Sequence, residues 1–230
     1  MKINIWSDYA CPFCWIGEVR LRKALNELAL LDKATLVPRA FELNPDAPKA
    51  TDLNGLGTIA RRYGMSLTQA QAEFDKIAAM GRADGLVLNQ VDTHHTNTFD
   101  SHRLMKLAQG TGDRLLEERL NEMLFSAFFV YNLNLADWDV LLKTGKEAGL
   151  SEKPILEMLE SDQYATQVRA DEEEAAQLGI HGVPYFIFDN GTTASGALPL
   201  EEFKRILLNT YETEYTGKFD QCSSDGCKIK

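Results

Sequence analysis

Cys11 and Cys14 are the residues in this chain best suited to chemistry, because two thiols three positions apart can attack, hold and release a disulfide. They stand in Cys11-Pro12-Phe13-Cys14-Trp15, after an alternating segment (Ile3, Ile5) and before a helical period (Ile16, Val19, Leu21, Leu25, Leu28). That pattern predicts a strand-to-helix turn with Cys11 at the helix amino terminus, where unpaired N–H groups and the helix dipole favour a thiolate. Pro12 suits the first helical turn, since its missing N–H would have no partner there. Cys14, one turn later, can reach back to resolve a mixed disulfide on Cys11. Half of a zinc site and a buried structural pair are the competing readings, and zinc would need two further ligands that only the distant tail cysteines offer. Phe13 adds bulk without charge, so the direction of the redox chemistry stays open.

The remaining cysteines, Cys222 and Cys227, lie at the other end, with none in between. Two local pairs suit redox exchange better than a stapled scaffold. The tail pair reads either as exposed thiols that oxidise on handling or as a mobile second redox centre relaying electrons to Cys11 and Cys14. Gly182-Val183-Pro184-Tyr185 opens a β-prone run, where a proline is either a hairpin detail or a cis proline beside the cysteines, X–Pro being the bond where cis is accessible. In the second case the Val183 backbone can pair with an extended substrate. His181, just before it, is an ordinary loop residue or an imidazolium that lowers a thiolate pKa. Trp15 is expected to pack beneath the motif and shape the site. His94, His95 and His102 lack ligand spacing, so no metal site is expected; they read as cap and loop contacts, with His102 on a helix facing the cleft.

The elements that position these residues follow from periodicity. A strand over 2–7, a helix from Cys14 and a strand over about 34–43, with Pro38 marking an edge or bulge, make a βαβ unit. From about 56 to 179 no strand pattern appears, and helical periods run over 67–81, 98–108, 113–129, 137–148, 151–159 and 161–178. Strands return over 183–188 and 193–196 around an Asp189-Asn190-Gly191-Thr192 turn, and 198–211 reads as a closing helix. The two ends must share one sheet, since neither buries its apolar face alone. Asp171-Glu172-Glu173-Glu174 reads as a solvated helix face, and Phe125, Phe128, Phe129 and Tyr131 as core. Gly55-Leu56-Gly57 lacks the preceding strand and third glycine of a nucleotide loop.

A net charge of -10 over 230 residues argues against a general nucleic-acid or anionic-membrane binder. No apolar run reaches the roughly 18 residues of a membrane span. The first residues carry no leader pattern, so a cytoplasmic location is expected, where a close cysteine pair is catalytic or metal-binding rather than structural.

Over nearly its whole length the chain resembles the DsbA-like thioredoxin family with a helical insertion, and within it the cytoplasmic FrnE-type branch. The resemblance is carried by Ser7 to Gly17 around the cysteines, Phe41-Glu42-Leu43-Asn44-Pro45, Asn97 to Leu104, Gly182-Val183-Pro184-Tyr185-Phe186 and Ser195-Gly196-Ala197. It implies an α/β thioredoxin-like fold with an all-helical insertion: 1–50 and 180–215 forming the thioredoxin-like domain, 51–179 the insertion, and 216–230 a flexible tail with the second cysteine pair. It further implies thiol–disulfide oxidoreductase or isomerase activity, with Cys11 as nucleophile, Cys14 as resolving thiol and Pro184 cis. The expected partners are proteins or small molecules bearing thiols or disulfides. No cofactor is expected beyond glutathione as reductant or co-substrate. The alternative is a glutathione-dependent isomerase or kappa-like transferase acting on a small hydrophobic substrate. Such relatives typically carry serine at the Cys11 position, and this sequence departs from them by keeping both cysteines.

Overall fold

The structure, a computed structural model, describes residues 1–216. Cys222 and Cys227, and with them the expected relay, lie outside the described residues.

Strand β1 (Lys2–Ser7) leads into helix α1 (Pro12–Glu27) and strand β2 (Thr35–Ala40). Helices follow: α2 (Gly55–Tyr63), α3 (Leu67–Ala83), α4 (Phe99–Gln109), α5 (Arg114–Phe129), α6 (Trp138–Ala148), α7 (Glu152–Leu159) and α8 (Ala165–Gln177). The chain closes with β3 (Tyr185–Phe188), β4 (Thr193–Ser195) and α9 (Leu200–Thr216). The sheet order is β2-β1-β3-β4. β1 pairs in parallel with β2, as a helical crossover through α1 permits, and antiparallel with β3, which forms a hairpin with β4. Both ends of the sequence therefore build one mixed sheet, a thioredoxin-like fold carrying a helical block between β2 and β3.

Two cores meet along α1. Ile3 and Ile5 alternate inward on β1 and, with Phe186 and Phe188, pack on Leu21 and Leu25 of α1 and Phe203 and Leu207 of α9. The first turns of α1 belong to the other core: Cys14, Trp15 and Ile16 pack with Leu104, Phe125, Phe128 and Phe129 of the helical block. Trp15 lies nearly parallel to Phe125 and Phe129, with ring centroids 5.9 and 6.2 Å away. Tyr131, expected in this core, is exposed. Trp6 points to the opposite sheet face, beneath Ala175 and Ile180.

Two expectations are corrected here. The run 171–174 is not solvated throughout: Glu173 is exposed, but Asp171 turns inward. Asp171 is buried and accepts from the Ala40 N–H at 2.8 Å and Arg39 Nη1 at 2.9 Å, and it pairs with Lys106. Its carbonyl accepts from Trp6 Nε1 at 2.9 Å. The reason is phase: Asp171 shares the buried stripe of α8 with Val168 and Ala175. The block is thus fastened to the sheet edge by a charge.

Helix α2 was not anticipated, because Gly55 and Gly57 weaken its signal. Asn54 compensates by capping it, its Oδ1 accepting from the Gly57 N–H at 3.0 Å, and Gly64 ends it at φ 64°. Gly55 is obligatory, since a Cβ there would lie 2.0 Å from the Gln90 carbonyl oxygen. Gly55→Ala is expected to cost about 1–3 kcal/mol by overpacking against backbone. Thermal unfolding should show the Tm falling by several degrees; an unchanged Tm would contradict this close approach.

Candidate active site

Cys11 caps α1 in an extended conformation (φ -105°, ψ 112°), with Pro12 at the helix start and no acidic residue in the first turn. A thiolate at Cys11 would be the only anion facing those N–H groups from the first turn. The turn before it is held by the Cys11 N–H donating to the Asp8 carbonyl at 3.0 Å. The Val183–Pro184 peptide is cis, and the Cys11 thiol donates to the Val183 carbonyl at 3.7 Å. Gly17 permits this meeting: a Cβ there would sit 3.1 Å from Pro184 Cγ and 3.2 Å from Phe186 Cζ. Cys11, Cys14, Val183 and Pro184, some 170 positions apart in sequence, thus share one site. Both cysteines are free thiols. Phe13 is exposed beside them, and Trp15 packs below. His181 is exposed and makes no hydrogen bond or ion pair with a described residue.

The two sulfurs are placed unequally. Burial pushes the Cys14 thiol well up, and the neighbouring Cys11 pushes it further, against lowering contacts from the Asp8 N–H (3.5 Å) and the Ser7 hydroxyl. Behind Cys14 runs a buried polar chain that sequence reasoning missed. Ser7 Oγ donates to Glu18 Oε1 at 3.0 Å, Asn121 Nδ2 to Glu18 Oε2 at 2.6 Å, and the Tyr9 hydroxyl to Asn121 Oδ1 at 3.3 Å. Glu18 lies one turn after Cys14 on the inward stripe 14-18-21-25, and that phase was the available signal. Asp8 is equally buried and fully used. Its Oδ1 accepts from Ala10 N–H (3.1 Å) and the Thr98 hydroxyl (2.9 Å), and its Oδ2 from Leu43 N–H (2.7 Å). Burial raises the Asp8 pKa, but His102 and the backbone donors outweigh it and hold the carboxyl below its usual value. His102 is therefore not a cleft residue. It is buried against Tyr9 with Nε2 3.8 Å from Asp8 Oδ1, too long for a hydrogen bond.

Glu18 makes a pH prediction. Burial pushes its carboxyl up, against Arg22 and the bonds from Asn121 and Ser7. Such a group stabilises the fold fully below the ordinary value of 4.5 and loses that contribution as pH climbs through the raised value. Glu18→Gln cannot ionise and lacks this decline. Its stability relative to the parent, from urea titrations between about pH 4.5 and 8, is expected to rise with pH. A constant offset across that range would remove the argument.

A cleft of about 640 Å³ opens beside Cys11, walled by Phe13, α2, α3, Phe129 and the segment from Gln90 to Thr98. His95, not His102, lines it, edge-on to Phe128. Among the described residues, no group of three or more His, Cys, Asp or Glu is placed to hold a metal, and no helix is long and apolar enough to cross a membrane.

This geometry can be set beside known proteins. A family model described as a DSBA-like thioredoxin domain matches residues 2–208. The chain is similar to the uncharacterised protein YwbO of Bacillus subtilis, 28% identical over 213 residues, covering 90% of this chain and 96% of that protein. The crystal structure of a probable DsbA oxidoreductase from Streptomyces coelicolor is 35% identical with a TM-score of 0.86, over 100% of this chain and 99% of that one. At 15% identity the cytosolic disulfide reductase DsbM of Pseudomonas aeruginosa shares the fold, with a TM-score of 0.62 over 92% and 99% of the two chains.

Proposed function

The chain belongs to the family of DSBA-like thioredoxin domains, and from that premise we propose that it is a thiol–disulfide oxidoreductase working through Cys11 and Cys14. The observation that carries this reading is the approach of the Cys11 sulfur to the Val183 carbonyl, 3.7 Å apart, with the buried Cys14 thiol behind it. The Cys11 thiolate attacks a substrate disulfide, the helix terminus stabilising it beforehand, and forms a mixed disulfide. Val183 beside the cis bond offers its backbone to the substrate chain. Cys14 then attacks the Cys11 sulfur, expels the substrate thiolate and leaves Cys11 and Cys14 joined; the reverse sequence oxidises a dithiol. Pro12 starts the helix, Phe13 presents an apolar contact, and Trp15 stacked on Phe125 fixes the turn from below. The scarcity of cysteines and their pairing at the two ends support work in a reducing compartment.

The test is a redox titration of the full chain and of its Cys222→Ser/Cys227→Ser variant in glutathione buffers, counting free thiols. The variant is expected to lose two thiols in one two-electron transition, whose midpoint separates a reductant from an oxidant. Two thiols persisting in every buffer would refute the reading. The cleft of about 640 Å³ beside Cys11 favours a second reading, isomerisation or conjugation of a small hydrophobic molecule with glutathione. Conjugation surviving in Cys14→Ser would select it.

A further inference from the structure

A thiol that attacks a disulfide reacts only as thiolate, and near neutral pH a free thiol is almost wholly protonated. Cys11-Pro12-Phe13-Cys14 carries no histidine, so a base within the site has to come from another part of the cleft wall. The carboxylates and imidazole that line the cleft are Asp8, Glu73 and His95. Asp8 is buried and already accepts from Ala10, Thr98 and Leu43. Glu73, on the outer side of α3, is paired with Lys76 at 2.6 Å. His95 is left.

The segment that carries His95 is tied to the turn of Cys11. The Thr98 hydroxyl donates to Asp8 Oδ1 at 2.9 Å, and the Asp8 carbonyl accepts from the Cys11 N–H at 3.0 Å. The His95 ring packs edge-on against Phe128 of α5, with centroids 5.7 Å apart, and this contact holds its plane. Its nitrogens make no hydrogen bond with a described residue, yet neither is sealed from solvent, unlike His102 Nε2, Gln90 Oε1 and Thr96 Oγ1. His94 beside it differs on both counts: it does not line the cleft, and its Nδ1 is bonded to the Thr51 carbonyl at 2.9 Å. The charges that reach the His95 ring are Asp8, from the turn before α1, and Arg62, from α2. Burial pushes its pKa below the ordinary 6.5, Asp8 opposes this, and Arg62 and His94 push it further down. The ring is therefore neutral near neutral pH, with a nitrogen able to accept a proton.

We infer that His95 is the base that takes the proton from a substrate thiol as that thiol attacks the Cys11 sulfur. This deepens the thiol–disulfide reading and rests on it. A substrate thiol RSH in the cleft gives its proton to the open ring nitrogen of His95. The sulfur of RS⁻ then bonds to the Cys11 sulfur, the Cys11–Cys14 bond breaks, and Cys14 leaves with the electron pair. The proton on His95 passes to solvent, and Cys14 takes one up. A second RSH, deprotonated in the same way, attacks the substrate sulfur of the mixed disulfide, so RS–SR departs and Cys11 is left as thiolate. The two thiols lose two electrons, and the cysteine pair gains them. The same base serves any thiol that enters the cleft, so the assignment concerns the step and not the identity of R.

The test isolates that step. In the full-length chain carrying Cys14→Ser, Cys222→Ser and Cys227→Ser, Cys11 is converted to its mixed disulfide with thionitrobenzoate. An added thiol attacks the Cys11 sulfur and releases thionitrobenzoate, which is coloured and leaves as an anion, so only the attacking thiol has a proton to lose. Two uncharged thiols are compared near neutral pH: mercaptoethanol, which is barely ionised there, and trifluoroethanethiol, which its fluorines leave ionised in large part. In His95→Gln the rate with mercaptoethanol is expected to fall about tenfold, and that with trifluoroethanethiol by less than about twofold. The gap should close as pH rises and mercaptoethanol ionises by itself. His95→Phe, which keeps a ring against Phe128 but has no base, should behave as His95→Gln, with Tm read for both. Equal slowing of the two thiols in a folded variant, or no slowing of either, overturns the role of His95 while the redox reading stands. If Cys11 takes no thionitrobenzoate in the folded protein, the redox reading itself fails.

Discussion

Replacing Cys11 by serine is expected to lower the rate of disulfide exchange by about three orders of magnitude or more, because a hydroxyl at neutral pH supplies no anion to attack sulfur. Cys14→Ser should behave differently. It keeps the attacking thiol at the mouth of the cleft and removes only the group that frees it, so the protein should accumulate as a mixed disulfide with substrate. Intact-mass measurement after acid quench reads this directly for a small-molecule disulfide, as the mass of one substrate thiol less two hydrogens per chain. The buried position of Cys14 adds a kinetic signature. Burial, the larger cause of its raised pKa, persists in the mixed disulfide, where Cys11 is no longer a thiol, so the fraction able to resolve it grows with pH. In the parent, resolution should therefore rise steadily between about pH 6 and 9, and that rise should be absent in Cys14→Ser. Turnover by Cys14→Ser at the parent rate would mean that resolution comes from elsewhere and that the pair is not the working unit.

Asp171→Ala is expected to give the largest loss of stability of any single change to the framework. The substitution leaves Lys106, whose side chain is 10% exposed, without its carboxylate, takes from the partly buried Arg39 the nearer of its two carboxylates (Glu174 stays at 3.6 Å), and strips the Ala40 N–H of its acceptor. Orphaning one side of a buried ion pair costs about 3–5 kcal/mol, which for a chain of this size corresponds to roughly 6–20 °C in Tm. Pairing it with Lys106→Met should recover part of the loss, because the second change removes a cation that no longer has a partner. A double variant as unstable as the sum of the two single ones would show that the charge contact does not fasten α8 and α4 to β2.

Much of this architecture was legible because period and punctuation agreed. Strand β1, α1 and the hairpin of β3 and β4 follow from alternation, a helical stripe and an Asp-Asn-Gly turn. The helical ranges beginning at 113 and 137 coincide with α5 and α6, each of which opens on an aspartate cap. Two of the hidden residues share one cause: their class says surface and their phase says core. Asp171 sits in an acidic run, yet it is three positions after Val168 and four before Ala175. Glu18 falls between Cys14 and Leu21 on the stripe that faces inward. Helix α2 was masked by two glycines, of which Gly55 serves a contact with a segment 35 positions away that no local window contains. The cleft depends on side chains from α2, α3 and the Gln90 to Thr98 segment converging, so only its Cys11 end could be read in advance.

The outer margin of β2 has a bearing on how the protein behaves in a crowd. A border strand normally offers unpaired amides and carbonyls as a template on which another chain can add itself, the first step towards fibres. Here that offer is withdrawn group by group. Pro38 has no amide hydrogen to give, its carbonyl accepts from Gln109 at 2.8 Å, and the amide of Ala40 is held by Asp171. At the opposite border β4 is three residues long. Molecules of this protein at high concentration therefore find little on each other's sheets to polymerise with, and backbone pairing with a foreign chain is left to the mouth of the cleft beside Val183.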